Sequence, residues 1–258
     1  MLEIFDSHAH YDDRQFDADR QELLAALPGE GVVGILNCGS DWKGSLATYD
    51  LCRQHDFLYG AVGIHPGNAG EWNLQVRQQL LEMLEHPKVV AVGEIGLDYY
   101  WDSNPPREVQ QEVLREQLVL ALDRDLPVVL HDREAHGDTM GLLRDFAPRG
   151  LRGVLHSFSG SVEMAREAVG LGFFLGISGV VTYKNARKLV EVVQEVPLEH
   201  LLVETDAPYL APVPFRGKRN QSGYIRHGLE RIAAIREIPV EEAARVTAAN
   251  ARRFLGLA

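Results

Sequence analysis

His8 and His10 stand one residue apart where the first apolar run closes, in Leu2-Glu3-Ile4-Phe5-Asp6-Ser7-His8-Ala9-His10. Side chains i and i+2 of an extended strand share a face, so both imidazoles can reach one cation. Four more residues of metal-binding type follow short apolar runs in the same way. Glu94 follows Val89-Val90-Ala91-Val92, His131 follows Pro127-Val128-Val129-Leu130, His156 follows Gly153-Val154-Leu155, and Asp206 follows Leu201-Leu202-Val203. A single histidine at a strand end is common. Five strand-like segments that each finish in an imidazole or a carboxylate point instead to one shared divalent-metal site. The chemistry of such a site is hydrolysis by a metal-activated water. Two ions ~3.5–4 Å apart suit phosphate esters and amides.

For residues so far apart in sequence to meet, the segments that carry them must converge. Strand patterns lie near 2–6, 32–37, 58–63, 89–94, 127–131, 152–156, 172–177 and 201–205, and helical patterns over 17–27, 72–85, 109–124, 135–146, 162–169 and 185–195. Two further helical patterns, 223–236 and 240–254, follow a long Pro-rich loop over 206–214. Strands that alternate with helices pair in parallel through right-handed crossovers. Eight such units in 258 residues predict a (β/α)8 TIM-like barrel, with an open doubly wound sheet as the alternative. In a barrel the loops after all strands gather at one end, which turns six scattered residues into one site. His8 and His10 can then bind one ion together with Asp206 and one oxygen of Glu94. His131 and His156 can bind a second ion and share the other oxygen of Glu94. This ligand set does not distinguish Zn, Mn, Mg or Ni. No composition break or low-complexity linker divides the chain, so a single domain over 1–258 is expected.

The net charge of −11 argues against a broad grip on duplex nucleic acid, which needs many phosphate contacts. It leaves room for a phosphate held locally by metal ions and a few cations. No apolar stretch approaches the ~20 residues of a membrane span, and Glu3 and Asp6 stand where a signal peptide carries positive charge. A cytoplasmic protein without a membrane partner is expected. Cys38 and Cys52 read as reduced structural thiols, Cys38 closing a buried strand and Cys52 within a helix.

The segments Asp6-Ser7-His8-Ala9-His10, Gly63-Ile64-His65-Pro66, Gly93-Glu94-Ile95-Gly96-Leu97-Asp98-Tyr99 and Leu130-His131-Asp132-Arg133-Glu134-Ala135 carry a family resemblance. It continues in Leu155-His156-Ser157-Phe158-Ser159-Gly160, Gly176-Ile177-Ser178-Gly179 and Glu204-Thr205-Asp206-Ala207-Pro208. In this order, over essentially the whole chain, they resemble the TatD-type deoxyribonucleases of the metal-dependent hydrolases. The resemblance implies a TIM-like barrel, a divalent-metal site and hydrolysis of nucleic-acid phosphodiesters. Carried over residue by residue, it makes His8, His10, Glu94, His131, His156 and Asp206 the metal ligands. Two departures stand out. Ala9 replaces the cysteine usual between the first two histidines, and Asn220-Gln221-Ser222-Gly223-Tyr224 replaces an Asn-Glu-Pro pattern, which could reshape the rim loop after the last strand.

The function expected is a 3'-5' exonuclease on single-stranded or frayed DNA ends, using a metal-activated water with Asp206 as base or orienter and Glu94 joining the two ions. His65, Arg133, Arg216 and Lys218 are the candidate substrate contacts. His65 can instead be a buried hydrogen-bonded histidine, Arg133 can pair with Asp132 or Glu134, and the run 216–219 can be a solvated loop. Tyr99, Tyr100, Trp101, Phe158, Tyr183 and Phe215 can stack unpaired bases or pack loops together. Asp98 reads as a carboxylate that fixes a histidine. The substrate is nucleic acid, meaning DNA or alternatively RNA or tRNA, and no obligate protein partner is evident. The rival function is a metal-dependent esterase or amidohydrolase, aminoacyl-tRNA being one substrate. Barrel hydrolases that bridge their metals with a carboxylated lysine fit less well, since no lysine occurs over 89–99. A non-catalytic, metal-stabilised interaction protein is the remaining alternative.

Overall fold

The computed structural model describes residues 2–257. Eight strands, β1 (Ile4–Ala9), β2 (Val32–Cys38), β3 (Leu58–Val62), β4 (Val89–Asp98), β5 (Val128–Arg133), β6 (Gly153–Leu155), β7 (Phe174–Ile177) and β8 (Leu201–Val203), pair in parallel in chain order. Around them run α1 (Arg20–Ala26), α2 (Trp42–Gln54), α3 (Leu74–Met83), α4 (Arg107–Asp123), α5 (His136–Phe146), α6 (Val162–Gly170), α7 (Arg187–Glu195), α8 (Ile225–Arg236) and α9 (Val240–Leu255). This is the expected (β/α)8 barrel, and the open sheet is excluded because β8 returns to β1.

That return is made by a short seam. The amides of His10 and Asp206 donate to the carbonyls of Ala207 (2.7 Å) and His8 (2.9 Å), and Ser7 Oγ donates to the Val203 carbonyl at 3.0 Å. Beneath it, the fully buried Asp6 carboxylate accepts from Thr205 Oγ1 and Ser222 Oγ, both at 2.7 Å, and from the amides of Thr205 and His8. All four donate to the carboxylate and favour its ionised form, while full burial outweighs them and pushes the carboxyl up to about 7. Ser222 belongs to the segment that departs from the family pattern. Its hydroxyl also meets the Tyr11 hydroxyl at 2.8 Å. Asn220 Nδ2 donates to the carbonyls of Thr205 and Tyr209. The departure therefore sits beneath the rim loop and ties it to β1.

Inside the barrel, Phe5, Leu36, Ala61, Ala91, Val129, Val154 and Leu202 from seven strands form one apolar cluster, with Phe174 of β7 against it. Ala248, Ala251, Phe254 and Leu255 of α9 pack on that cluster and plug one end of the barrel. A larger cluster fills the space between strands and outer helices. Burial on both faces is why the strands read as continuous apolar runs.

Several boundaries differ from the sequence expectation. β1 extends to Ala9 and β4 to Asp98, so His8 lies within its strand rather than after it, and Glu94 lies in mid-strand rather than at the strand end. The helix expected around Cys52 is α2, whose buried face includes Gly44, Ser45 and Thr48. Small and polar residues on that face blur the apolar period that reveals a helix in sequence.

Candidate metal centre

The six candidate ligands meet at one end of the barrel. His10 Nδ1 lies 2.7 Å from the Cys38 carbonyl, which can only accept, so this nitrogen carries a proton and in the neutral ring Nε2 presents the lone pair a metal would take. That lone pair faces His8 Nε2 at 3.0 Å and Asp206 Oδ1 at 3.4 Å, and Glu94 Oε2 lies 3.5 Å from both imidazoles. Across Glu94, the other oxygen Oε1 is 2.9 Å from His131 Nδ1 and 2.9 Å from His156 Nε2, and these two nitrogens are 3.4 Å apart. Ligands held ~2.1 Å from one ion at tetrahedral or octahedral angles stand about 3.0–3.4 Å apart. The distances within both clusters, 2.9–3.6 Å, lie within about 0.2 Å of that spacing, and Glu94 offers one oxygen to each.

The surroundings favour a cation. Burial would lower His10, yet the Asp206 hydrogen bond and the charges of Glu94 and Asp206 push its imidazole up to about 9. Burial would raise Glu94, yet the imidazoles of His156, His65 and His8 and the hydrogen bond from His131 hold its carboxyl well below the usual range. Convergent lone pairs and an ionised carboxylate in a buried cleft fit divalent metal.

Two carboxylates outside the candidate ligand set steady it. Asp98 Oδ2 lies 3.2 Å from His131 Nε2, and its Oδ1 accepts the Tyr100 amide at 2.9 Å. This matches the sequence expectation for Asp98. Sequence reasoning passed over Glu204. Its buried carboxylate has Oε1 3.5 Å from His156 Nδ1 and accepting the Ser157 amide, while Oε2 has no partner. The signal was available, because Glu204 precedes Asp206 by two residues just as His8 precedes His10.

His65 sits beside the cluster. Its Nδ1 accepts the Gly67 amide at 3.0 Å, which leaves the proton on Nε2, 3.8 Å from Glu94 Oε1. Burial pushes this imidazole down to about 4, so it stays neutral.

Two cavities flank the centre, and His131, His156 and Asp206 line both. The smaller, about 270 Å³, is acidic, with Asp12 and Asp13 on its wall. The larger, about 550 Å³, carries Arg133, Arg187 and Lys188 together with Phe158, Val180 and Leu210. Arg133 pairs with neither Asp132 nor Glu134, since Asp132 is taken by His136 at 2.6 Å and Thr139 at 3.1 Å. Arg216 and Lys218 line neither cavity. The Arg216 guanidinium lies over the Tyr183 ring, and neighbouring Arg219 pairs with Asp19 at 2.6 Å. The cations on the larger cavity are Arg133 of β5, which the sequence reading singled out, and Arg187 and Lys188 of α7, which it did not; Arg187 also pairs with Glu191 at 2.9 Å. Phe215 stacks on Tyr224 at 4.1 Å and Tyr99 lies under Arg107, so both serve loop packing.

A parallel barrel with histidines and carboxylates gathered at the carboxyl ends of its strands defines a metal-dependent hydrolase. The chain belongs to the TatD related DNase family, whose sequence profile matches residues 5–256. It is 40% identical over 251 residues to the metal-dependent hydrolase YabD of Bacillus subtilis, covering 97% of this chain and 98% of that protein. It is 34% identical over 260 residues to the 3'-5' ssDNA/RNA exonuclease TatD of Escherichia coli, covering 99% and 100%. The crystal structure of YJJV, a TatD homologue from Escherichia coli, superposes with a TM-score of 0.92 at 34% identity over 99% of this chain and 98% of that one. No helix among the described residues is long and apolar enough to cross a membrane.

Proposed function

We propose that this hydrolase cleaves phosphodiester bonds of single-stranded nucleic acid from a free 3' end, with two divalent ions held by the six residues. His8, His10 and Asp206 would hold one ion and His131 and His156 the other, with Glu94 between them. When bound, the ions supply Lewis acidity, neutralising the non-bridging oxygens of a phosphate and lowering the pKa of water.

The chain's own groups do the rest. Burial would raise the Asp206 carboxyl, but its hydrogen bond with His10 and the nearby imidazoles keep it low, so it is ionised and able to orient a water and take its proton. His65 presents an Nε2–H toward the same space and stays neutral, which suits it to donate to a phosphate oxygen. Arg133, Arg187 and Lys188 place positive charge on only one side of the centre, where a phosphate backbone can lie.

The observation that carries this reading is the pairing of a shared-carboxylate double cluster with a cation-lined cavity. Its kinship with an exonuclease of DNA and RNA supports it further. End-labelled single-stranded DNA with Mg²⁺ or Mn²⁺ should be shortened stepwise by the native chain, with the label position reporting polarity. Asp206→Asn should lower turnover by at least ~100-fold while the protein remains folded. A metal-replete native protein that leaves DNA and RNA intact would transfer the assignment to ester or amide substrates, aminoacyl-tRNA first.

A further inference from the structure

The exposed aromatic side chains among the described residues are Tyr100, Trp101 and Tyr209, and all three stand on loops following strands at the candidate site. Tyr100 and Trp101 are 51% and 53% exposed and adjoin each other edge to face, ring centroids 4.7 Å apart at 88°. The Arg133 guanidinium lies 4.0 Å from the Tyr100 ring centre and 5.2 Å from that of Trp101. It has no carboxylate partner among the described residues, and it lines the 550 Å³ cavity together with His131, His156 and Asp206.

Adjoining aromatics left half in water beside an arginine without a carboxylate partner form an exposed patch of the kind that marks a ligand site. Stacking uses the flat face of a guanidinium and leaves its N–H edge free, so Arg133 is oriented without being consumed. The platform is also in register with the candidate metal ligands. Asp98 receives the Tyr100 amide on one oxygen and faces His131 with the other, and Asn104 Nδ2 donates to the Asp98 carbonyl at 3.1 Å. Arg133 follows His131 by two residues on β5. A shift of the loop would therefore disturb the centre, and the reverse also holds.

We infer that Arg133, Tyr100 and Trp101 form a nucleotide-binding step in which Arg133 grips a backbone phosphate next to the scissile one and Trp101 stacks the attached base. The inference rests on the nuclease reading and adds to it a reason for single-strand selection. A base must leave its duplex partner to reach a protein ring, whereas a phosphate need not.

The test is equilibrium binding of labelled oligothymidylate and of an abasic strand of equal length, in the presence of Mn²⁺, using Asp206→Asn as a slow background. The parent should bind the thymidylate strand more tightly. Adding Trp101→Ala should weaken that strand roughly 5- to 150-fold and not the abasic one, and Trp101→Phe should restore most of the difference. Arg133→Gln should weaken both strands and reduce the salt slope by about 0.7. The step is overturned if the parent binds both strands equally, or if Trp101→Ala binds thymidylate as tightly as the parent or loses both strands alike. Cleavage of both strands by the native chain is read separately. Failure to cleave the oligothymidylate would remove the nuclease reading, whereas loss of abasic cleavage alone follows from the platform, and the binding comparison still decides it.

Discussion

His131 lies between two carboxylates: Nδ1 faces Glu94 Oε1 and Nε2 faces Asp98 Oδ2. A carboxylate behind an imidazole fixes its tautomer and raises its basicity toward metal. Asp98→Asn keeps the shape but withdraws the charge. The expected outcome is a metal affinity about 10–100-fold weaker, measured by titration calorimetry with Mn²⁺ or Zn²⁺, with the circular dichroism spectrum unchanged. An affinity equal to that of the native chain would leave Asp98 a role in holding the loop alone. At this scale the six candidate ligands stood out in sequence, because each is a metal-binding side chain at or shortly after the end of a short apolar run. Glu204 carried the same signal, directly following Leu201-Leu202-Val203, but sequence reasoning passed over it in favour of Asp206, and its burial is known only from the structure.

Short strands set the spacing of the centre. β7 passes so close to the residue after β8 that a Cβ on Gly176 would stand 2.1 Å from Glu204 Oε2. Gly176→Ala must displace either the strand or the carboxylate behind His156. Overpacking of this kind costs typically about 1–3 kcal/mol. The variant should therefore melt at lower temperature by differential scanning calorimetry and bind metal more weakly. A variant with native melting and affinity would show that Glu204 can move aside freely. The β8–β1 seam works at the same scale, with three hydrogen bonds above and the Asp6 carboxylate below. Sequence periodicity revealed the strands because they are apolar on both faces. It could not reveal that β1 runs on through His8 and β4 beyond Glu94 to Asp98, since polar residues interrupt the pattern where the site begins.

Across the whole molecule, negative charge dominates, yet the larger cavity beside the centre carries three cations. Single-stranded binding that uses Arg133, Arg187 and Lys188 should show a slope of log K against log salt near −2, since each phosphate contact contributes about −0.7. A slope several units steeper, from binding titrations over a range of salt, would require a wider contact surface than this. Metal also bears on global stability, because removing it leaves converging lone pairs and ionised carboxylates facing one another. An ion present at a hundred times its dissociation constant stabilises by about 2.7 kcal/mol, which for a chain of this size corresponds to about 5–10 °C. Chelation should lower the melting temperature by that order, and re-addition of metal should restore it. An unchanged melting temperature would mean that the centre contributes nothing to holding the barrel closed.

Alternation of apolar runs with amphipathic segments, and the residue type at the end of each run, by themselves determined the barrel, its metal-hydrolase character and the ligand candidates. These are local properties, set by strand and helix periods and by which side chains bind cations. Only the tertiary structure decided that Glu204 lies buried behind His156, that Ser222 and Thr205 tie the rim to β1 through Asp6, and that the cations on the larger cavity belong to β5 and α7 rather than to the run 216–219. Those outcomes depend on which loops meet in space and which charges find partners. Arg219 is neutralised by Asp19 and Arg216 rests on Tyr183, while Arg133 remains without a carboxylate because its neighbour Asp132 is already bound by His136.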